Sequence, residues 1–249
     1  MSIIDKILKS REVLREILSD QNFDTSSIPV LTKSEMKVLF DLNSDSDVIN
    51  SLGSGAAGCN FTVKHKLIPS YNINIVYLNM PDKNSTSKTT KSFREKIIKL
   101  YENEFVNHYS VTIIIINEKI TDTIEKLVNT LNIYLQESME ELTDELKDEM
   151  KSKSYNLKDN HFRRCWMFDI NTLIVNLKNH RLVSEHIPIR EEVQIQKILD
   201  DCNCTKQQLP VISRNDIMSK YTLAAPGDII KIIRTSKMTG NYPFYRFVR

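Results

Sequence analysis

Three stretches of the sequence combine residue types that could do chemistry. Gly53-Ser54-Gly55-Ala56-Ala57-Gly58 matches GxGxxG spacing. That spacing serves a dinucleotide only between a strand and a helix, because a helix N-terminus must meet the pyrophosphate. Here a small, polar stretch precedes the glycines and a strand-like segment follows, so the expectation is a loop. Cys202-x-Cys204, with His180 and His186 upstream, offers metal-ligand types. Paired zinc cysteines usually stand about two to four residues apart so that both reach one tetrahedral ion. A gap of one residue fits poorly. Pro81-Asp82 could open a nuclease motif of the PD…(D/E)xK kind, whose carboxylates hold magnesium. Its acid-x-Lys half belongs on a following strand, yet Glu145-x-Lys147 and Glu149-x-Lys151 lie in an acidic helical stretch. The apolar run "VTIIIIN" carries no acid until Glu118, and Ile120 stands where the lysine is needed. No serine or cysteine nucleophile sits in a supporting motif, and there is no P-loop. The residues therefore lead us to expect no catalytic group, metal, cofactor or small-molecule substrate.

Charge is the second signal. The net charge is only +2, too small to imply a nucleic-acid partner from the total. Its distribution is uneven. From 205 to 249 there are eight basic residues against two acids, and from 121 to 151 nine acids against three lysines. Such regions either face partners of opposite sign or are solvated surfaces. Lys83, Lys88, Lys91, Arg94, Lys96 and Lys99 face only Glu95 within their own segment. Of these, Lys83, Lys88, Lys91 and Arg94 are candidates for contact with a DNA backbone.

The elements that must position these residues follow from periodicity. Ile4, Ile7, Leu8, Leu14, Ile17 and Leu18 recur at helical spacing, with Ser2 and Asp5 as a capping box. A shorter helix is expected near 34–42, then a loop over 43–58. "NFTVKHKLI" and "NINIVYLN" read as antiparallel strands joined at Pro69-Ser70. A helix over 92–107 leads into "YSVTIIIIN", which is apolar on both faces like a central strand. A helix capped at Thr121 or Asp122 is expected to run towards Lys151, with Met139, Leu142, Leu146 and Met150 on one stripe. "CWMFDI" and "TLIVNL" both read as strands. Further on come a strand, a helix over 190–201, a turn at Leu209-Pro210, a short helix over 216–221 and a closing hairpin. In that hairpin, Ile230, Ile232 and Arg234 share one face while Ile229, Lys231 and Ile233 share the other. Gly240 supplies the positive φ of the turn. Pro243 must turn its missing N–H away from the ladder or lie at a bulge. The expected fold class is α+β, with an N-terminal domain over 1–170 and a small C-terminal α+β domain over 171–249. The charge pattern at the N-terminus is not that of a signal peptide, and "VTIIIIN" is too short to span a bilayer. With four cysteines and no evident disulfide framework, the expectation is a protein of a reducing compartment without a membrane partner.

The order of residues in the last third says more. "NHRLVSEHIPI", then "LPVISRNDIMSKYTLAAPGDIIKIIRTSKMTGNYPFYRFVR", closely resembles the C-terminal domain of the fifth subunit of eukaryotic RNA polymerases and its archaeal counterpart. The matching residues are His180, Leu182, Val183 and His186, then Leu209, Pro210 and Ile212. They continue through Asp216, Tyr221, Gly227, Lys231, Ile232, Arg234, Ser236, Gly240, Tyr242, Tyr245 and Arg246. Ser184 and Ile217 stand where the family has prolines, and the usual threonine is shifted by one place at Met238-Thr239.

The resemblance implies a non-catalytic subunit of a DNA-dependent RNA polymerase. The C-terminal domain would dock on the largest subunit among other polymerase subunits. Its interface residues would be His180, His186, Pro210, Asp216, Tyr221, Lys231, Arg234, Gly240, Tyr242, Tyr245 and Arg246. The N-terminal part, matched only in outline, would be a lower jaw near downstream double-stranded DNA, built on a nuclease-like mixed sheet without an active site. The stretch 136–159 reads as an insertion relative to the cellular pattern. The Lys/Asn/Ile-rich divergence suits a large DNA virus or an AT-rich protist. The protein is expected in the nucleus if cellular, and in host cytoplasm, nucleus or virion if viral. Two other readings are kept: a degenerate magnesium nuclease acting through Asp82, and a free-standing interaction module that borrowed the C-terminal domain.

Overall fold

The computed structural model describes residues 1–41, 56–78, 80, 92–102, 108–139, 141–152, 157–238 and 240–249. They divide into two compact units. The first comprises Met1–Glu141 and Phe162–Val175, the second Leu142–His161 and Asn176–Arg249. Both are α+β, each around a four-stranded mixed sheet. Among the described residues no helix is long and apolar enough to cross a membrane.

The first unit opens with α1 (Ile3–Asp20). The Ser2 side chain accepts from Asp5 N and the Asp5 carboxylate accepts from Ser2 N, so the expected capping box is present. The apolar stripe Ile7, Leu14, Ile17 and Leu18 is buried, and the helix packs on the turn Ile170–Leu173. Helix α2 (Lys33–Asp41) buries Met36 and Phe40. The sheet order is β1 (Phe61–Lys64), β2 (Asn72–Leu78), β3 (Val111–Ile116), β4 (Cys165–Asp169). β1 is antiparallel to β2, as read from the sequence, and β2, β3 and β4 run parallel. Every residue of β3 is buried, because helices cover a parallel sheet on its faces. Ile114 and Ile116 pack with Ile97 and Tyr101 of α3 (Ser92–Glu102) and with Ile124, Val128, Leu131 and Leu135 of α4 (Asp122–Glu137). Burying each such isoleucine stabilises by about 1.5–3 kcal/mol, which makes β3 the mechanical centre of this unit.

Two expectations from periodicity need correction. The long helix towards Lys151 is two helices, α4 and α5 (Asp144–Ser152). Ser138 ends α4, its N–H turning to the Tyr134 and Gln136 carbonyls. α5 restarts at Asp144, with Leu146 and Met150 buried. Leu142, just before α5, is buried as well. "TLIVNL" is not a strand. It forms two 3-10 turns, Ile170–Leu173 and Leu177–Asn179. The Asp169 carboxylate accepts from Asn171 N and the Asn176 side chain from Lys178 N. These short polar side chains satisfy the backbone locally and displace the ladder that apolar content alone suggested.

In the second unit the sheet order is β5 (Glu185–Ile189), β7 (Ile229–Ser236), β8 (Gly240–Val248), β6 (Val211–Ile212). β5 and β8 flank β7 antiparallel, and β6 joins β8 in parallel at only two positions. Helix α6 (Glu192–Asp201) supplies Ile195, Ile198 and Leu199 to one sheet face, where Ile189, Leu209, Ile229, Tyr245 and Phe247 meet them. Helix α7 (Ile217–Tyr221) starts at Asp216, whose carboxylate accepts from Met218 N at 2.8 Å. The other sheet face gathers Ile212, Ala224, Ile230, Ile232 and Val248, with Phe244 against them. Gly240 has φ 67 in the β7–β8 turn and Gly227 φ 97 at its entry, so these two glycines answer backbone geometry. The stretch 142–161, read in part as an insertion, belongs to this unit. His161 bonds Asp228 at 2.9 Å, Asn160 Nδ2 donates to the Pro226 carbonyl, and Lys158 pairs with Glu192.

Candidate functional site

The closing hairpin sorts the motif residues by parity. Paired residues in an antiparallel ladder share a face. Ile230↔Arg246, Ile232↔Phe244 and Arg234↔Tyr242 therefore form one face, and β5 adds His186 opposite Ile232. Lys231↔Tyr245 falls on the other face, where Tyr245 packs against α6. The expected division of β7 between two faces is thus observed.

The first face carries a compact cationic-aromatic cluster. The Arg234 guanidinium carbon lies 4.0 Å from the Phe244 ring centroid, and that of Arg246 lies 5.5 Å away. One ring therefore serves two guanidiniums, each attracted to its negative face. Arg246 Nη1 also donates to the Val211 carbonyl at 3.2 Å. His186 Nδ1 stands 2.7 Å from the Ser184 carbonyl. Burial lowers the His186 pKa. The Ser184 bond and the Asp216 carboxylate oppose that shift, and the Arg246 and Arg234 charges add to it. The imidazole thus leans towards its neutral form beside two permanent cations. Tyr242 is exposed, leaving its phenol at the rim. This surface can bind an anionic or carboxylate-bearing group through the guanidiniums and an aliphatic or aromatic one through Phe244 and Tyr242.

The remaining candidates are dispersed. Tyr221 is 3% exposed. Burial pushes its phenol up to about 12, against a bond with the backbone of Leu177, so it holds the interior of its own unit. Burial also raises Tyr245, helped by Cys202 and Asp201. His180 and Pro210 are exposed, and His180 Nδ1 accepts from Leu182 N. Lys83, Lys88 and Lys91 lie outside the described residues, as does Asp82. Arg94 is on α3, with its guanidinium 5.3 Å from the Tyr134 ring.

The tempting chemical motifs stay apart. Gly53 and Gly55 lie outside the described residues; after them comes the short turn Ala57–Cys59 and then β1, not an α-helix. Cys204 packs on the α6 side of the sheet while His186 occupies the opposite face. Among the described residues no group of three or more His, Cys, Asp or Glu could hold a metal ion. Glu145 and Lys147 are on α5, not on a strand.

Sequence reasoning misses Phe244 as a site residue. Its signal is nonetheless local: it lies two residues from both Tyr242 and Arg246, so strand alternation puts all three on one face. It also misses the His161–Asp228 pair, because no local pattern joins residues so distant in sequence.

Comparison with known proteins bears on this surface. Residues 175–248 match the family model for the RNA polymerase Rpb5 C-terminal domain. The chain is 42% identical over 74 residues to the DNA-directed RNA polymerase subunit Rpo5 of Methanosphaera stadtmanae, which covers 30% of this chain and 95% of that protein. It is 38% identical over 74 residues to subunit Rpo5 of Sulfolobus acidocaldarius, covering 30% and 87%. It is 34% identical over 79 residues to the subunit rpabc1 of DNA-directed RNA polymerases I, II and III of Dictyostelium discoideum, covering 32% and 40%. The hairpin, its cationic-aromatic face and the motif residues around it all fall inside the matched segment, and through that segment the chain belongs to the RNA polymerase Rpb5/Rpo5 family.

Proposed function

We propose that this chain is a non-catalytic subunit of a multisubunit DNA-directed RNA polymerase. Its second unit docks on the largest subunit, and its first unit forms a lower jaw near downstream double-stranded DNA. The observation that carries the docking reading is the Arg234–Phe244–Arg246 cluster inside the segment shared with named polymerase subunits. Tyrosine and arginine on a rigid sheet are the side chains that most often anchor a stable protein interface. The motif residues His180, Pro210, Asp216, Gly240 and Tyr242 are exposed and join that anchor in the proposed interface. Tyr221 and Tyr245 pack within the unit that presents it, and Lys231 lies on the face opposite the cluster.

The jaw reading rests on the mixed sheet of the first unit and on the basic segment Lys83, Lys88, Lys91 and Arg94. The protein acts wherever that polymerase works, in the nucleus of a cell or in the compartments a virus uses. The test is a tagged pull-down from the native source, with mass spectrometry and an RNA-synthesis assay on the eluate. Stoichiometric recovery of two very large polymerase subunits with RNA synthesis is expected. Recovery of the chain alone at low salt would reject the reading.

A further inference from the structure

β8 is paired along its whole length by β7 on one side, but β6 covers only Phe247 and Val248 on the other. Among the described residues no strand pairs with Gly240–Arg246 on that side. The backbone directions are set by the bonds at the covered end. Phe247 N donates to the Pro210 carbonyl, on the β6 side, whereas Val248 N donates to the Asp228 carbonyl. Both groups of a residue in an antiparallel ladder point to the same side, and successive residues alternate. The register from Ile229↔Phe247 to Ser236↔Gly240 is unbroken. Tyr242, Phe244 and Arg246 therefore spend their backbone groups on β7, while Asn241, Pro243 and Tyr245 turn theirs to the uncovered edge. Pro243 accordingly has its missing N–H on the open side, the first of the two placements the sequence allowed.

We propose that this edge receives an extended, acidic segment of a partner polypeptide as an added strand. The inference rests on the subunit reading and specifies the chemistry of its docking. An added strand would meet the N–H and C=O of Tyr245 and the C=O of Pro243. Charge selects its composition. β7 and β8 contain Lys231, Arg234 and Arg246 and no Asp or Glu. No ion pair with a carboxylate engages Arg234 or Arg246 among the described residues, and the nearby Asp216 carboxylate is bonded to Met218 N. Acidic side chains on the added strand would reach the two guanidiniums beside Phe244. Pro243 blunts the edge, because it removes one donor from whatever strand is added there.

The experiment is residue-resolved hydrogen exchange on the full chain, free and assembled in polymerase. The Tyr245 amide is expected to exchange fast in the free chain and at least about tenfold more slowly in the complex. The Phe244 and Arg246 amides, already bonded to β7, should be protected in both states. A chain that assembles while Tyr245 stays fast overturns the strand proposal and leaves the subunit reading intact. A chain that never assembles removes both. Protection of Tyr245 in the free chain that grows with concentration would assign the edge to a second copy. Protection that appears only with added DNA would assign it to nucleic acid. Either would overturn the proposal. A second arm uses the double variant Arg234→Gln, Arg246→Gln, with circular dichroism as a folding check. The folded variant should leave the complex at lower salt than the parent. Unchanged retention at every salt concentration would overturn the acidic chemistry of the occupant.

Discussion

His161 Nε2 and Asp228 Oδ2 lie 2.9 Å apart with side chains only 1% and 4% exposed. Their backbones belong to stretches with no local sequence relation, and both are in the second unit. Burial alone pushes the Asp228 carboxyl up. The hydrogen bond and charge of His161, the charge of Arg190 and the Ala225 N–H together outweigh that and hold it below the ordinary carboxylate value. Removing one partner leaves the other buried without its counter-group, so His161→Ala should destabilise by about 3–5 kcal/mol. Urea unfolding at neutral pH measures this, and a loss under ~1 kcal/mol would place the pair among surface bridges.

The pH dependence of the same pair has a definite sign. A folded-state value below the unfolded one adds stability that is complete above the ordinary carboxylate pKa. That stability is lost as pH falls through the lowered folded value. Asp228→Asn should therefore differ most from the parent at neutral pH, and the two unfolding midpoints should converge in acid. Parallel midpoint curves down to the lowest pH at which both fold would contradict the assignment.

The two hairpin glycines should respond differently to a methyl group. A Cβ at Gly240 would meet nothing within 4 Å, so the cost of Gly240→Ala is only its φ of 67, about 1–2 kcal/mol. Asn at the same position should recover part of it, since Asn tolerates that region. Gly227 sits at φ 97, further from the region open to L-residues, with Asn160 Nδ2 3.8 Å from where an added Cβ would stand. Gly227→Ala should cost more than Gly240→Ala, and thermal unfolding of the two variants side by side reads the order.

Thiol reactivity should follow burial. Cys165 is pushed up to about 12 and Cys59 to about 11, in both cases chiefly by burial. Cys202 is exposed and Cys204 partly so. Alkylation of the native chain at mildly alkaline pH, followed by mass spectrometry, should label Cys202 first. Cys59 and Cys165 should label only in denaturant, because the thiolate is the reacting species.

The basic segment gives a test of the jaw. Replacing Lys88, Lys91 and Arg94 with glutamine should flatten the salt dependence of elongation-complex stability by about one unit of slope per lost phosphate contact. An unchanged slope would remove these residues from the DNA.

Much of the molecule was legible because its signals are local. Ser2 and Asp5 stand one turn apart and cap α1. The run from Val111 to Ile116 has no polar face to offer solvent, so it had to be a central strand. Gly240 and Pro243 each constrain one backbone torsion or donor, and both stand where the hairpin needs them. The ordered motif of the last third carried the family. By contrast, "TLIVNL" has strand-like composition, and Asp169 and Asn176 diverted it into turns through bonds that composition does not display. The break at Ser138 likewise interrupts a stripe whose periodicity continues through it.

What only the tertiary structure decided is which distant residues share a surface. Strand parity could divide Ile229–Ser236 between two faces, but not say that α6 would cover the face of Tyr245 while Arg234, Phe244 and Arg246, on the other, would stay partly exposed. Nor could it say that β6 would be two residues long, leaving the backbone of Tyr245 at an edge, or that His161 would close onto Asp228. Local propensity is set by near neighbours along the chain. Strand order, edge exposure and buried charge pairing are set by which apolar faces bury each other most completely, and that choice is made by the whole fold at once.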